Sequence, residues 1–312
     1  MGLSAKKTRL SENLYCIQIK LPFRSANFRV MQRVVIFLAG KLLQKKLDHN
    51  LSNSILWIAD PSMAGISNEN FKYIIYDRCD LHGAFPGQKK QVWQLYEREL
   101  FERADLITYS HPMLEKDIPD RLKDKILLVP NACSDMLLNM KYPKKASGNK
   151  LILVSAGAHY EWVDFQWLEM ITQIEPVELH IAGSGRGNHF SELLNKNNVV
   201  FHGKLNQEEL SSVLRRADAG LIPFVESMLT RAVDPIKAYE YAAAGLEIWA
   251  PTISGLKENP LIDRFINNKF QLETACKELL GNRNRQKIRK KVPTWGDRLK
   301  SILDRYAELS SD

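Results

Sequence analysis

From Leu151 onward the chain alternates short apolar runs with segments of helical period, and that alternation restricts it to an α/β fold built on a parallel sheet. The spacing predicts strands at 151–155, 177–182, 199–201, 219–223 and 246–249. Between them it predicts helices at 165–173, 189–195, 207–216 and 234–245. This is a complete doubly wound domain. The first half repeats the pattern less regularly, with strands at 14–20, 55–59, 73–76, 105–109 and 125–129. Helices are predicted at 28–47 and 89–103, with a short one from Pro112. The polar stretch K-Y-P-K-K-A-S-G-N-K at 141–150 reads as a linker. The organisation expected is therefore a first domain over 1–140, the linker, a second domain over 151–293, and a closing helix over 294–312 that packs back toward the first domain.

Within the second domain, 230–245 reads T-R-A-V-D-P-I-K-A-Y-E-Y-A-A-A-G. Asp234 and Pro235 form a helix start, in which the carboxylate caps the first amides and proline occupies the first helical position, and Gly245 is the stop. Lys237 and Glu240, three residues apart, share a face of that helix. A helix N-terminus suits a phosphate, the lysine adds a point charge, and the carboxylate can accept hydrogen bonds from ribose hydroxyls. The arrangement reads as a nucleotide diphosphate site; an amphipathic helix with a solvated Lys–Glu pair is the alternative.

In the first domain, Asp77, Asp80 and His82 cluster in Y-D-R-C-D-L-H-G-A-F-P-G, at the carboxyl end of a strand, where open α/β sheets place ligand groups. A surface turn would also collect such residues. The run A-G-S-G-R-G at 182–187 lacks G-x-G-x-x-G spacing and reads as a turn at the mouth of a cleft.

The 312 residues carry a formal charge of +8, which allows a phosphorylated substrate, nucleic acid or an acidic membrane surface as partner. No aromatic interleaving or nucleic-acid motif accompanies the basic run at 283–291, so nucleic acid is not expected. The basic residues beside the apolar stripe of 28–47 fit either a helix packed on a sheet or one lying on an anionic membrane. The most apolar run, 34–40, is far shorter than the roughly 20 residues that span a bilayer. Residues 1–13 lack the apolar core of a signal peptide, so a cytoplasmic protein is expected, at most peripheral at the inner face of the membrane. Cys16, Cys79, Cys133 and Cys276 form no C-x-x-C pair and the histidines show no metal-ligand spacing, so neither a disulfide framework nor a metal site is expected.

Two α/β halves, a linker, P-x-K-x-x-E-Y near the end of the second half and a closing helix after Trp295 together resemble glycosyltransferases of the GT-B fold. Among these the chain looks like bacterial exopolysaccharide enzymes, such as those of teichuronic acid and xanthan assembly. The resemblance is strongest over 151–245, in S-A-G-A-H-Y-E-W-V-D-F, F-H-G-K-L-N-Q-E-E-L and A-D-A-G-L-I-P-F. It implies two Rossmann-like doubly wound domains facing a cleft, the first of them abbreviated because its opening β-α unit is missing. Lys237 would bind donor phosphate, Glu240 the ribose or sugar, and Thr230 and Arg231 would line the diphosphate pocket. Gly157 would allow close approach of the donor, with Trp162 and Asp164 at the cleft and Asp234 and Tyr241 completing the donor site. Y-D-R-C-D resembles the family's stretch near the acceptor, making Asp80, or else Asp77, the candidate base.

The implied activity is metal-independent transfer of a hexosyl or glycuronosyl group from a nucleotide-diphosphate sugar, UDP-linked rather than GDP-linked, to a polysaccharide or lipid-linked glycan. No bound cofactor is expected. Two competing expectations are a non-catalytic relative that binds nucleotide sugar as a partner protein, and a nucleotide-sugar epimerase of the same architecture, which would need no acceptor.

Overall fold

The computed structural model describes residues 4–12, 14–20, 26–46, 51–68, 70–139, 150–282 and 290–309. They form two compact units, 1–128 and 129–312. Residues 129–139 thus group with the second unit, ahead of the expected boundary at 140, and most of the expected linker lies outside the described residues.

The first unit opens with β1 (Ser4–Ser11) and β2 (Leu14–Lys20), followed by α1 (Arg29–Lys46) and β3 (Ile55–Ile58). It continues through β4 (Tyr73–Arg78), α2 (Lys90–Arg103), β5 (Leu106–Tyr109), α3 (Pro112–Glu115) and β6 (Ile126–Leu128). Strands β3-β4-β5-β6 make one sheet in that order, all parallel. Strand β4 is buried at every position, as a strand covered on both faces must be.

The segment 14–20, expected as a strand of this sheet, pairs instead with β1 as an antiparallel hairpin. The short connection explains the difference: adjacent strands joined so tightly can only turn back, because a parallel partner requires a long crossover.

The second unit contains α4 (Asp135–Leu138), β7 (Leu151–His159), α5 (Phe165–Thr172), β8 (Val177–Gly185), α6 (Asn188–Leu194) and β9 (Val199–Gly203). After these come α7 (Gln207–Arg216), β10 (Ala219–Leu221), α8 (Ile236–Ala243), β11 (Glu247–Ala250), β12 (Arg264–Phe265), α9 (Lys269–Gly281) and α10 (Trp295–Leu309). The strand order is β12-β11-β10-β7-β8-β9, the doubly wound arrangement expected from the alternation. The sheet is covered on both faces, by clusters around Tyr241, Leu214 and Ile248 on one and around Trp167, Leu179 and Trp249 on the other.

Local signals set the helix ends. Asn206 accepts from the Glu209 amide at 2.9 Å while Glu209 accepts from the Asn206 amide at 2.8 Å, a reciprocal cap worth about 1 kcal/mol that opens α7. Arg215 and Arg216 in its last turn suit the negative end of the helix dipole. Helix α10 is tied to the start of the unit, where the Trp295 amide donates to the Cys133 carbonyl at 3.1 Å. Among the described residues no helix is long and apolar enough to cross a membrane.

Candidate functional site

In the second sheet the chain runs outward from β7 through β8 and β9, then returns to the other side of β7 at β10. Connections leave the carboxyl ends of β7 and β10 in opposite directions, which opens the crevice where doubly wound sheets bind ligands. Strands β7 and β8 remain paired to their last residues, His159 and Gly185. The run 182–187 is therefore largely a strand end, where a turn was expected. Gly157 and Gly183 both have positive φ, 137° and 123°. A Cβ on Gly183 would lie 1.9 Å from the Gly157 carbonyl oxygen, so two glycine backbones abut there. A Cβ on Gly157 would meet nothing within 4 Å, so its outer side is open to a ligand.

Helix α8 points its first turn at this end of the sheet and is tied to it by one bond. The Tyr241 hydroxyl accepts from the Ala156 amide at 2.8 Å. Tyr241 is fully buried, its ring so close to β10 that a Cβ on Gly220 would lie 2.2 Å away. Burial pushes its phenol far up, so it stays protonated. Its part is to position α8 against β7, where a donor contact was expected.

Asp234 does not cap α8. Pro235 holds the cap position with no side-chain bond, and the Asp234 carboxylate turns away to accept from the Asn131 amide at 2.6 Å and from the Tyr239 hydroxyl at 2.9 Å. Burial raises the Asp234 pKa, against the opposing pull of those donors. The consequence favours a site: the amides of the first turn of α8 carry no side-chain cap and are available to an anion. Lys237 and Glu240 project beside them and pair with each other, with Lys237 about a quarter exposed and Glu240 nearly buried.

The segment between β10 and α8 is braced from within. Buried Thr230 donates to the Val225 carbonyl at 2.5 Å and accepts from the Ser227 amide at 2.9 Å, so its hydroxyl holds the loop instead of lining a pocket. Arg231 is half exposed and its Nε donates to Glu226 at 2.6 Å; the other oxygen of Glu226 accepts from the Ser254 amide at 2.6 Å. The Arg231 hydrogen bond holds the Glu226 carboxyl below its usual range.

Asp164 accepts from the Trp167 amide at 2.9 Å as the cap of α5, and the Trp162 indole donates to the Ala158 carbonyl at 3.1 Å. Both shape the loop after β7. The last residue of β7, His159, was passed over in the sequence: its ring is buried, 2.9 Å from the Ser155 hydroxyl, with its pKa lowered by burial to about 4. Its signal was a polar residue two positions after the open glycine. Glu226 and Asn131 were also missed, since Glu226 braces the loop through the Ser254 amide, 28 residues on, and Asn131 acts through Asp234, 103 residues on.

The first unit separates its two candidate bases. Asp77 is buried on β4, accepting from the Thr108 hydroxyl at 2.8 Å and the Trp57 indole at 3.2 Å, which makes it part of the sheet's interior and removes it as a base. Asp80 lies just beyond the strand end, with its pKa raised by burial against the favourable charge of His82. The His82 ring is itself fixed, stacked on Trp93 at 5.7 Å between centroids. Among the described residues no group of three or more His, Cys, Asp or Glu could hold a metal ion.

No protein-family profile matches the chain. A Bacillus subtilis (strain 168) protein named "Putative teichuronic acid biosynthesis glycosyltransferase TuaH" is 24% identical over 251 residues, 72% of this chain. The match spans 63% of that protein's length. Among solved structures, sucrose-phosphate synthase from Thermosynechococcus elongatus superposes with a TM-score of 0.65 at 14% identity, covering 98% of this chain and 86% of that one. Anabaena Alr3699/HepE in complex with UDP and glucose gives 0.61 at 12% identity, over 92% and 84%. The fold is that of the GT-B glycosyltransferases.

Proposed function

We propose that the protein is a glycosyltransferase that takes a sugar from a nucleotide-diphosphate donor, UDP-linked in preference to GDP-linked, and passes it to a polysaccharide or lipid-linked glycan of the cell surface. The observation that carries this reading is the uncapped first turn of α8, with Lys237 and Glu240 beside it, at the switch point of a doubly wound sheet whose strand β7 carries the open Gly157 near its carboxyl end. Such a place is built for a diphosphate joined to a hydroxyl-rich group. The Bacillus relative's printed name, and the UDP and glucose of the Anabaena complex, point the same way.

In the proposed reaction the bond between the sugar's anomeric carbon and the diphosphate oxygen breaks, and the acceptor oxygen takes its place on that carbon. Charge grows on the leaving diphosphate, where Lys237, the α8 amides and Arg231 offset it without a metal. Glu240 accepts hydrogen bonds from ribose or sugar hydroxyls. Asp80 in the first unit takes the acceptor's proton, a task that a carboxyl with a raised pKa performs well.

Calorimetric titration with UDP, GDP and their common sugars, with and without magnesium, tests the donor half. Saturable binding of one nucleotide is expected, and absence of binding to all would sink the proposal. For the other half, Asp80→Asn is expected to retain donor affinity and to lower transfer by about 100-fold or more. Full activity in that variant would remove Asp80 as the base.

A non-catalytic nucleotide-sugar binder is the second reading, favoured by the hairpin that stands where a strand of the first parallel sheet was expected. Turnover separates the two: it would bind donor with no transfer to any glycan and no effect of Asp80→Asn.

A further inference from the structure

Helix α1 is apolar on two opposite faces. Its inner face carries Val35, Ile36, Ala39 and Gly40, all buried, with Gln32 donating to the Ser62 carbonyl at 3.0 Å. The face opposite should be polar in a helix that ends at water. Instead Val30, Met31, Val34, Phe37 and Leu38 follow one another along it in helical order, with Val30 81% and Phe37 58% exposed. Large apolar side chains grouped in this way on a surface mark an interaction site.

The charges around the stripe say what kind of site. The helix holds five basic residues and no acidic one. Arg29 and Arg33 are spent on Glu99 at 3.3 Å and 3.0 Å. Lys41 and Lys45 continue the apolar stripe by helical spacing, and the Lys41 ammonium lies 5.5 Å from the centre of the Phe37 ring. The hairpin extends the same chemistry. Lys7 donates to the Lys46 carbonyl at 3.2 Å, joining β1 to the end of α1, and its ammonium sits 4.5 Å over the exposed Tyr15 ring.

Lysines that carry the line of an apolar stripe onward, on a helix with no acidic residue, suit one partner better than another. The buried centre of a protein interface is depleted of lysine. At a bilayer, by contrast, apolar side chains enter the acyl boundary while lysine stems run up to the headgroups. We propose that α1, with the adjoining hairpin, is a surface that docks onto an anionic membrane, lying in the plane of the interface.

The test uses the full chain and vesicles of phosphatidylcholine, with and without about 30 mol % phosphatidylglycerol, read by co-sedimentation. Binding to the anionic vesicles, weakened at least about tenfold at 0.5 M salt and absent from the neutral ones, is expected. Two exposed-site variants should each lower the binding by about tenfold or more: Val34→Ser with Phe37→Ser removes the inserted side chains, and Lys41→Glu with Lys45→Glu reverses the charge. Circular dichroism and the melting temperature, unchanged in both, establish that the loss is not unfolding. Absence of binding to anionic vesicles overturns the proposal. So does binding that both variants retain, or a wild-type dimer that Phe37→Ser dissociates with no affinity for vesicles. Nucleotide titration is unaffected by either result, so this proposal and the donor-site reading fail separately.

Discussion

Two clusters of opposite charge, one in each unit, show how differently the same chemistry can be held. In the first unit Arg78 is completely buried, its Nε 2.7 Å from one Glu97 oxygen and its Nη2 3.1 Å from the other. The same nitrogen meets Asp117 at 3.0 Å, Nη1 donates to the Leu114 carbonyl, and the Tyr76 hydroxyl adds a bond to Glu97 at 3.1 Å. Burial lowers the guanidinium pKa, and Glu97, Tyr76 and Asp117 together raise it by more, so the net shift is upward. In the second unit Lys237 pairs with Glu240 and Arg231 with Glu226, both cations partly exposed. A charge with several buried partners cannot be released without leaving another unpaired, whereas a half-exposed cation with one carboxylate partner can exchange it for a ligand oxygen. The first cluster supports the sheet and the second is available for binding.

Breaking the first cluster should have the largest effect. Arg78→Met leaves Glu97 buried without its cation and should destabilise the first unit by about 3–5 kcal/mol, read from denaturant unfolding. A loss below about 1 kcal/mol would mean that water reaches Glu97 and that the contrast between the clusters is false.

A buried group at the site itself gives the next effect. The folded pKa of His159 is about 4 against an ordinary 6.5. A histidine held neutral by burial disfavours protonation of the folded state, so the unfolded chain binds the proton first as pH falls. The stability it permits is complete above 6.5 and is lost progressively down to about 4, a total of about 3 kcal/mol. Unfolding measured across that window should show this slope in the wild type and a shallower one in His159→Asn. An unchanged slope would assign the acid sensitivity elsewhere.

The site cations should behave in the reverse manner to Arg78. Lys237→Ala is expected to weaken nucleotide diphosphate binding by about 2–4 kcal/mol while changing stability by less than about 1 kcal/mol. Calorimetry and thermal unfolding of one preparation check both halves. Loss of stability with unchanged affinity would make Lys237–Glu240 a structural pair like Arg78–Glu97.

The contrast also explains what could be read without coordinates. Strand and helix alternation is a local pattern, so α7 was legible to the residue and most other elements of the second unit to within a few. Lys237 and Glu240 were legible as neighbours because helical spacing alone places them together. Asp234 was misread because Asp-Pro also suits a buried carboxylate, and its partner Asn131 lies 103 residues earlier. Gly220, in the middle of a strand, was a sign of close packing, but its neighbour Tyr241 comes from the next helix. The hairpin was hidden for another reason: 4–11 is rich in lysine and arginine and carries no apolar alternation, so only pairing with 14–20 reveals it as a strand.

The smallest effect would sharpen the comparison most. If Arg231 leaves Glu226 to meet the donor's diphosphate, their ion pair opposes binding and its removal should help. In Glu226→Gln the amide oxygen can still accept from the Ser254 amide, so the loop keeps its brace while Arg231 loses its charged partner. Because both side chains are roughly half exposed, stability should change by no more than about 0.5 kcal/mol. Nucleotide affinity should rise about two- to fivefold at low ionic strength, and the gain should shrink as salt screens the pair. Weaker binding would instead mean that Glu226 holds Arg231 in its working position, and the exchangeable cation of the site would be Lys237.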